Sequence, residues 1–182
     1  MNFIKHSNLE GLHATFTASQ PSWLNYTDER AIEVFNNKQA AEYGTRLHDW
    51  AKRTIDLGIK QAKTKKTLNL FVNDAIGFKM STEVVLYYSD YFFGTADAIC
   101  FRDNVLRIHD LKTGKTAVHM EQLLIYAALF CLEYKVKPES IGCELRIYQN
   151  DEILFHNPEP EEIRGIMDKI IHLDKLLHTM EY

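Results

Sequence analysis

The sequence lacks several features that would assign it at once to a familiar class of protein. No apolar run approaches the roughly 20 residues that a membrane-spanning helix needs, and the N-terminal stretch has no apolar signal-peptide core. The three cysteines contain no CxxC pair, so neither a zinc ribbon nor an iron–sulfur cluster is indicated. Internal repeats and linkers rich in proline and glycine are also missing. We therefore expect a single globular domain with buried, reduced thiols and a cytoplasmic location.

An excess of positive charge is missing as well, because 21 Lys and Arg residues against 25 Asp and Glu residues give a net charge of −4. This balance argues against a protein that binds nucleic acid tightly by electrostatics alone. It does not exclude an enzyme with a local basic patch around an acidic site. With 182 residues, 46% of them hydrophobic, the chain is long enough to bury a substantial core.

Hydrophobic periodicity divides the sequence into three parts. Residues 1–70 are predicted to be helical, with a long helix from about residue 28 to residue 60 and Gly58 as its stop signal. Residues 78–150 are rich in β-branched and aromatic side chains, and strands are predicted over 82–88, 92–102, 105–112 and 141–149. A helix is expected over 118–134, and an amphipathic helix over 158–180. These elements predict an α/β fold in one domain, with a central mixed sheet of about four or five strands flanked by helices.

Two neighbouring predicted strands carry residues suited to metal-assisted chemistry. Asp110 and Lys112 are two residues apart and therefore share a strand face. If the strands pair through the Asp103-Asn104 turn, residue i lies opposite residue 207 minus i, which places Asp97 across from Asp110. Adjacent carboxylates repel each other unless a cation lies between them, and Mg²⁺ or Mn²⁺ binds such oxygens. The alternative is a turn-capping Asp97 with an ordinary surface ion pair between Asp110 and Lys112.

The order of the motifs resembles that of the PD-(D/E)XK nuclease superfamily, in particular its RecB-like branch, which includes phage-type exonucleases. The resemblance covers about residues 15–150 and rests on four segments: Gly44-Thr45-Arg46-Leu47-His48, Gly94-Thr95-Ala96-Asp97, Asp110-Leu111-Lys112-Thr113-Gly114 and Gln122-Leu123-Leu124-Ile125-Tyr126. It implies a restriction-endonuclease-like core with an N-terminal helical wall. It also implies an enzyme, a metal-dependent deoxyribonuclease of DNA recombination or repair, for which exonuclease action is favoured.

The resemblance further implies a role for each matching residue. The implied metal ligands are His48, Asp97, Asp110 and the backbone carbonyl of Leu111. Lys112 would be the catalytic lysine, acting with Asp97 and Asp110, while Gln122 and Tyr126 would position DNA or the loop of the metal site. Glu83, in the first predicted strand, is a further acidic candidate, and we rank it below the others. The implied cofactor is Mg²⁺ or Mn²⁺. Some members of this branch carry four cysteines for an iron–sulfur cluster, and because this chain has only three cysteines we expect no such cluster. The implied partners are DNA, as single strands or duplex ends, and a helicase, a recombinase or another replication or recombination protein.

A group of basic residues lies on and after the helix that carries His48: Arg46, Lys52, Lys63, Lys65 and Lys66. Such runs are often solvated faces, and the functional interpretation is contact with DNA phosphates. Two other classes of function stay open at this point. One is a non-catalytic DNA-binding module that kept a nuclease-like fold. The other is a structural or assembly protein whose acidic pair only binds a cation.

Overall fold

The computed structural model describes residues 4–9, 11–114 and 117–180. The chain forms two compact units, one ending at Arg46 and one beginning at Leu47. The first unit contains two short 3₁₀ turns, Ser7–Leu9 and Pro21–Asn25, and the first part of helix α1 (Asp28–Asp56). Within this unit, the Trp23 indole donates a hydrogen bond of 2.8 Å to the carbonyl of Thr17. The organisation as one nuclease domain stays a prediction.

The second unit is built around a five-stranded sheet. Its strands are β1 (Ser81–Ser89), β2 (Phe92–Arg102), β3 (Val105–Leu111), β4 (Gly142–Gln149) and β5 (Glu152–His156), in that spatial order. The β3–β4 pair is parallel and the other pairs are antiparallel. The remaining helices are α2 (Thr67–Gly77), α3 (Glu121–Glu133) and α4 (Pro160–His178). The predicted α/β fold with a mixed sheet flanked by helices is therefore confirmed.

Each face of the sheet packs against its own hydrophobic core. On one face, side chains of α3 and α4 such as Leu123 and Ile163 pack against Ile108 of β3. On the other face, Ala51 of α1 and Phe71 of α2 pack in the core that includes Leu111. Packing on both faces leaves successive residues of β3 and of the second half of β4 buried, as in parallel central strands. No helix among the residues that the structure describes is long and apolar enough to cross a membrane.

The β2–β3 register follows the predicted pairing. The partners run from Ala98 opposite His109 to Arg102 opposite Val105, which obeys the rule that residue i pairs with residue 207 minus i. The linking residues, Asp103 and Asn104, have φ values of 51° and 61°, as a two-residue type I′ hairpin turn requires. The paired register ends at Ala98 and His109, the residues next to Asp97 and Asp110, and does not include these two as partners.

Two elements were not predicted from the sequence, α2 and β5. The first residue of α2, Thr67, donates its backbone N–H to the carboxylate of Asp151 at 2.9 Å, since Lys66 at the N-cap position offers no capping side chain. Asp151 lies in the β4–β5 turn, where Asn150 and Asp151 have φ values of 53° and 62°. The same turn geometry thus forms the second hairpin and supplies the cap of α2.

Candidate active site

Strands β1 and β2 both depart from regular alternation at one point. Thr82 pairs with Ala98 and Val84 pairs with Ala96, while Glu83 and Asp97 lie between these pairs and are not partners in the register. Glu83 has a φ of 50°, in the left-handed region that residues other than glycine seldom adopt. Ala96 and Ala98 belong to the cores on opposite faces of the sheet, so β2 changes its facing at Asp97. The irregularity brings two acidic side chains to one spot.

A third group reaches this spot from α1. His48, Glu83 and Asp97 each offer one possible ligand atom, and these three atoms lie within 4.8 Å of one another. Nδ1 of His48 is 3.5 Å from Oδ2 of Asp97. The adjacent Asp97 carboxylate raises the pKa of His48 against the opposing effect of burial. Partial burial, followed by the negative charge of Asp97, raises the pKa of Glu83. Two carboxylates and an imidazole form a donor set that suits a divalent cation.

Asp110 lies beside this group and is only 2% exposed. Burial and the nearby charge of Asp97 raise the pKa of its carboxyl. Its Oδ2 atom is 3.0 Å from Nζ of Lys112, but the geometry is not that of a hydrogen bond and this buried oxygen has no hydrogen-bond partner. Oδ2 of Asp97 accepts the backbone N–H of Leu111 at 2.8 Å, which joins the two strands here. A buried carboxylate oxygen without a hydrogen bond is costly, and a bound cation would offset that cost.

Lys112 is held by side chains from two elements. Its Nζ atom lies 3.2 Å from Oδ1 of Asp110 and donates to Oε1 of Gln122 at 2.8 Å. The amide nitrogen of Gln122 in turn donates to the hydroxyl of Tyr126 at 3.0 Å. The ring of Tyr126 packs directly on Gly94, where a Cβ atom would come within 2.8 Å of Cε1. Residues from three of the four sequence segments therefore form one chain of contacts that ends on the lysine ammonium.

The structure brings most of the expected site residues together, with one difference in which carboxylates form the central group. The compact group of ligand atoms contains Glu83, which the sequence ranked lowest, and does not contain Asp110. Asp110 lies next to the group because its strand, β3, pairs with β2, which carries Asp97. Leu111 contributes its N–H to Asp97, while the role of its carbonyl stays a prediction. His109, one residue before Asp110, lies on the face of β3 opposite to Asp110, and its Nδ1 is 3.1 Å from the hydroxyl of Tyr148.

The five basic residues that were singled out in the sequence differ in whether they form ion pairs. Two of them form ion pairs with N–O distances of 2.8 Å, Lys52–Asp56 and Lys66–Asp151. Lys63 and Lys65 are exposed and form no ion pair with any residue that the structure describes. Arg46 is exposed and belongs to the first unit. Lys63 and Lys65 therefore have the charges that are most available to a phosphate.

Comparison with known proteins gives one similarity. A family model described as "Protein of unknown function (DUF2800)" matches residues 83–150. No curated protein matches the chain, and no solved structure matches it. The matched span begins at Glu83 and includes Asp97, Asp110 and Lys112, whereas His48 lies outside it. The residues clustered on β1, β2 and β3 thus fall in the part of the chain that is similar to that family.

Proposed function

We propose that this chain is a metal-dependent deoxyribonuclease that hydrolyses DNA phosphodiester bonds, with exonuclease action favoured over endonuclease action. The observation that carries the proposal is the meeting of His48, Glu83 and Asp97 beside a buried Asp110 that holds Lys112. A lysine ammonium next to a set of cation ligands can stabilise the negative charge that develops during hydrolysis of an anionic ester. The resemblance of the four sequence segments supplies the choice of DNA and of exonuclease action.

The residues present fit a Mg²⁺ or Mn²⁺ ion. His48, Asp97 and Asp110 would hold it, and Glu83 is placed to contribute a further oxygen. Oδ2 of Asp110, which is buried without a hydrogen bond, would gain a partner. When bound, such an ion polarises a phosphoryl oxygen and lowers the pKa of a water molecule.

The chain's own side chains orient and stabilise the reacting groups. The Lys112 ammonium donates hydrogen bonds and can stabilise negative charge that develops on the phosphoryl oxygens. Gln122 fixes the direction of that ammonium through its Oε1 atom, and Tyr126 fixes Gln122. Because these donors are already aligned before substrate arrives, little reorganisation is needed in the transition state.

The test is digestion of end-labelled single-stranded and duplex DNA with Mg²⁺, Mn²⁺, Ca²⁺ or excess EDTA. We expect cleavage with Mg²⁺ or Mn²⁺, little turnover with Ca²⁺ and none with EDTA. The Asp110→Asn variant should need more metal, so that raised Mn²⁺ restores part of its activity. Asp168→Asn, an exposed position on α4, is the matched control and should behave like the parent.

Two results would contradict the proposal. Undiminished digestion in excess chelator would exclude the metal mechanism. Metal-independent DNA binding without any cleavage would instead support the non-catalytic DNA-binding module. Measuring binding and cleavage on the same labelled DNA separates these outcomes.

A further inference from the structure

A cavity of about 580 Å³ lies at the end of α3 that is remote from the candidate active site. Gln122, which holds the site lysine, is in the first turn of α3, whereas Cys131 and Leu132, which line the cavity, are in its last turn. At about 1.5 Å per residue, the helix separates Gln122 from Leu132 by about 15 Å. The volume is within the range of ligand sites, about 300–1,000 Å³. An occupant of this cavity therefore has a role separate from the chemistry at Lys112.

The floor of this cavity is apolar and adaptable. Leu132, Val136 and Met167 line it, and each is only partly buried where it packs against the core. Methionine is unbranched and flexible, so its side chain can adjust to ligands of different shape. Aliphatic surface that is still exposed here would be removed from water by an apolar group of a ligand, which favours binding.

The rim of the cavity is basic, although the chain as a whole has a net charge of −4. Three exposed basic residues, Lys135, Lys137 and Arg164, line the cavity together with one acidic residue, Glu139. Glu139 forms an ion pair with Arg164, so this pair adds little charge. Lys135 and Lys137 form no ion pair with any residue in the part of the chain that the structure describes. Their two charges are therefore available to negatively charged groups of a ligand.

The occupant has to match an apolar floor and two free positive charges at once. Bases of a nucleic-acid strand stack on aromatic rings, and none of the described residues that line this cavity is aromatic. A fatty acid would cover the floor but would bring one carboxylate for two lysines. A peptide that has carboxylates on both sides of an apolar side chain meets both requirements.

We propose that this cavity is a docking site for an acidic segment of a partner protein. One apolar side chain of that segment lies on Leu132, Val136 and Met167, and its flanking carboxylates pair with Lys135 and Lys137. The charges set the rate and specificity of the encounter, while the apolar contact supplies much of the affinity. This inference does not depend on the proposed nuclease function.

The experiment measures the binding of designed acidic peptides by fluorescence anisotropy. The probe is Asp-Glu-Asp-Leu-Asp-Glu-Asp with fluorescein at its N-terminus, and two related peptides have Phe or Ser in place of the central Leu. The test variant is Lys135→Glu/Lys137→Glu. The control variant, Lys169→Glu/Lys175→Glu, makes the same change in net charge at two exposed positions of α4 that do not line the cavity.

We expect the parent and the control variant to bind the Leu and Phe peptides with similar affinity. The Lys135→Glu/Lys137→Glu variant should bind them at least about tenfold more weakly, because like charges then meet. The Ser peptide should bind the parent about tenfold more weakly, because it lacks the apolar side chain. This last comparison needs no protein variant, so it tests the inference even if the charge-reversed protein does not fold.

Three results would overturn the inference. The first is equal binding of the Leu and Ser peptides by the parent, and the second is equal binding of the Leu peptide by the parent and a folded Lys135→Glu/Lys137→Glu variant. The third is a lack of peptide binding at concentrations up to about 1 mM, and a single-stranded oligonucleotide that binds the parent but not the charge-reversed variant would then assign the cavity to nucleic acid.

Discussion

Replacing Gly94 by alanine tests the contact that fixes the lysine. The new Cβ atom would lie 2.8 Å from Cε1 of Tyr126, whereas ordinary contact begins at 3.4 Å. The ring cannot withdraw freely, because its hydroxyl accepts a hydrogen bond from Gln122. Overpacking of this kind costs about 1–3 kcal/mol. For a chain of this length each kcal/mol lowers the melting temperature by about 2–4 °C, so we expect a fall of roughly 2–12 °C.

The control is Gly165→Ala in α4, where no atom lies within 4 Å of the added Cβ. In a helix interior this change should stabilise the fold by about 0.5–1 kcal/mol, so the two glycine variants should shift in opposite directions. Thermal unfolding followed by circular dichroism measures both. In a Tyr126→Ala background, Gly94→Ala should cost little, because the ring that it strikes is gone. An equal cost of Gly94→Ala with and without the ring would refute the reasoning.

Three further perturbations follow from the site and its surroundings. Lys112→Ala should lower kcat by about 10²-fold or more with little change in DNA affinity; an unchanged single-turnover rate would remove the lysine from the mechanism. Replacing Lys63 and Lys65 together by alanine should reduce the salt dependence of DNA binding by roughly 0.7–0.9 per lost phosphate contact. The Lys169→Ala variant should keep the salt dependence of the parent. Equal salt dependence in the parent, the double variant and Lys169→Ala would show that Lys63 and Lys65 do not contact DNA. Burial lowers the pKa of His109 to about 3, so the unfolded chain takes up a proton that the folded chain does not. Its contribution to stability is present above about pH 6.5 and declines toward pH 3, by up to about 1.4 kcal/mol per pH unit. Urea unfolding at several pH values should show this slope in the parent and a smaller one in His109→Leu.

The sequence predicted the parts of the site that depend on local rules. The Asp103-Asn104 turn determines its own hairpin and brings Asp97 and Asp110 close together, and alternation along β3 places Asp110. The approach of Glu83 to His48 and Asp97 could not be predicted in this way, because its left-handed backbone breaks the alternation on which such predictions rely. A glycine within a strand does indicate a close approach of another group, but nothing local identifies that group as the ring of Tyr126.

Long-range contacts explain the elements that were missed. Helix α2 has no capping side chain of its own at its N-terminus, so its start carries no local signal. The position of His48 beside Asp97 likewise depends on how α1 packs on the sheet, which helical periodicity alone does not give. His48 was proposed as a metal ligand only because of the resemblance to a nuclease family, and helical periodicity alone would not have singled it out.

The carboxylate that caps α2 has a consequence for the order of folding. Thr67 and Asp151 are separated by 84 residues in the chain, and they exchange hydrogen bonds in both directions, since the backbone N–H of Asp151 donates to the Thr67 hydroxyl at 2.6 Å. A growing chain that has not yet reached the β4–β5 turn exposes the unsatisfied first turn of α2 to water. The conformational entropy of this long loop must be lost before the contact between Thr67 and Asp151 can form. We therefore expect α2 to become protected from hydrogen exchange only together with the β4–β5 hairpin, although it precedes every strand of the sheet in synthesis.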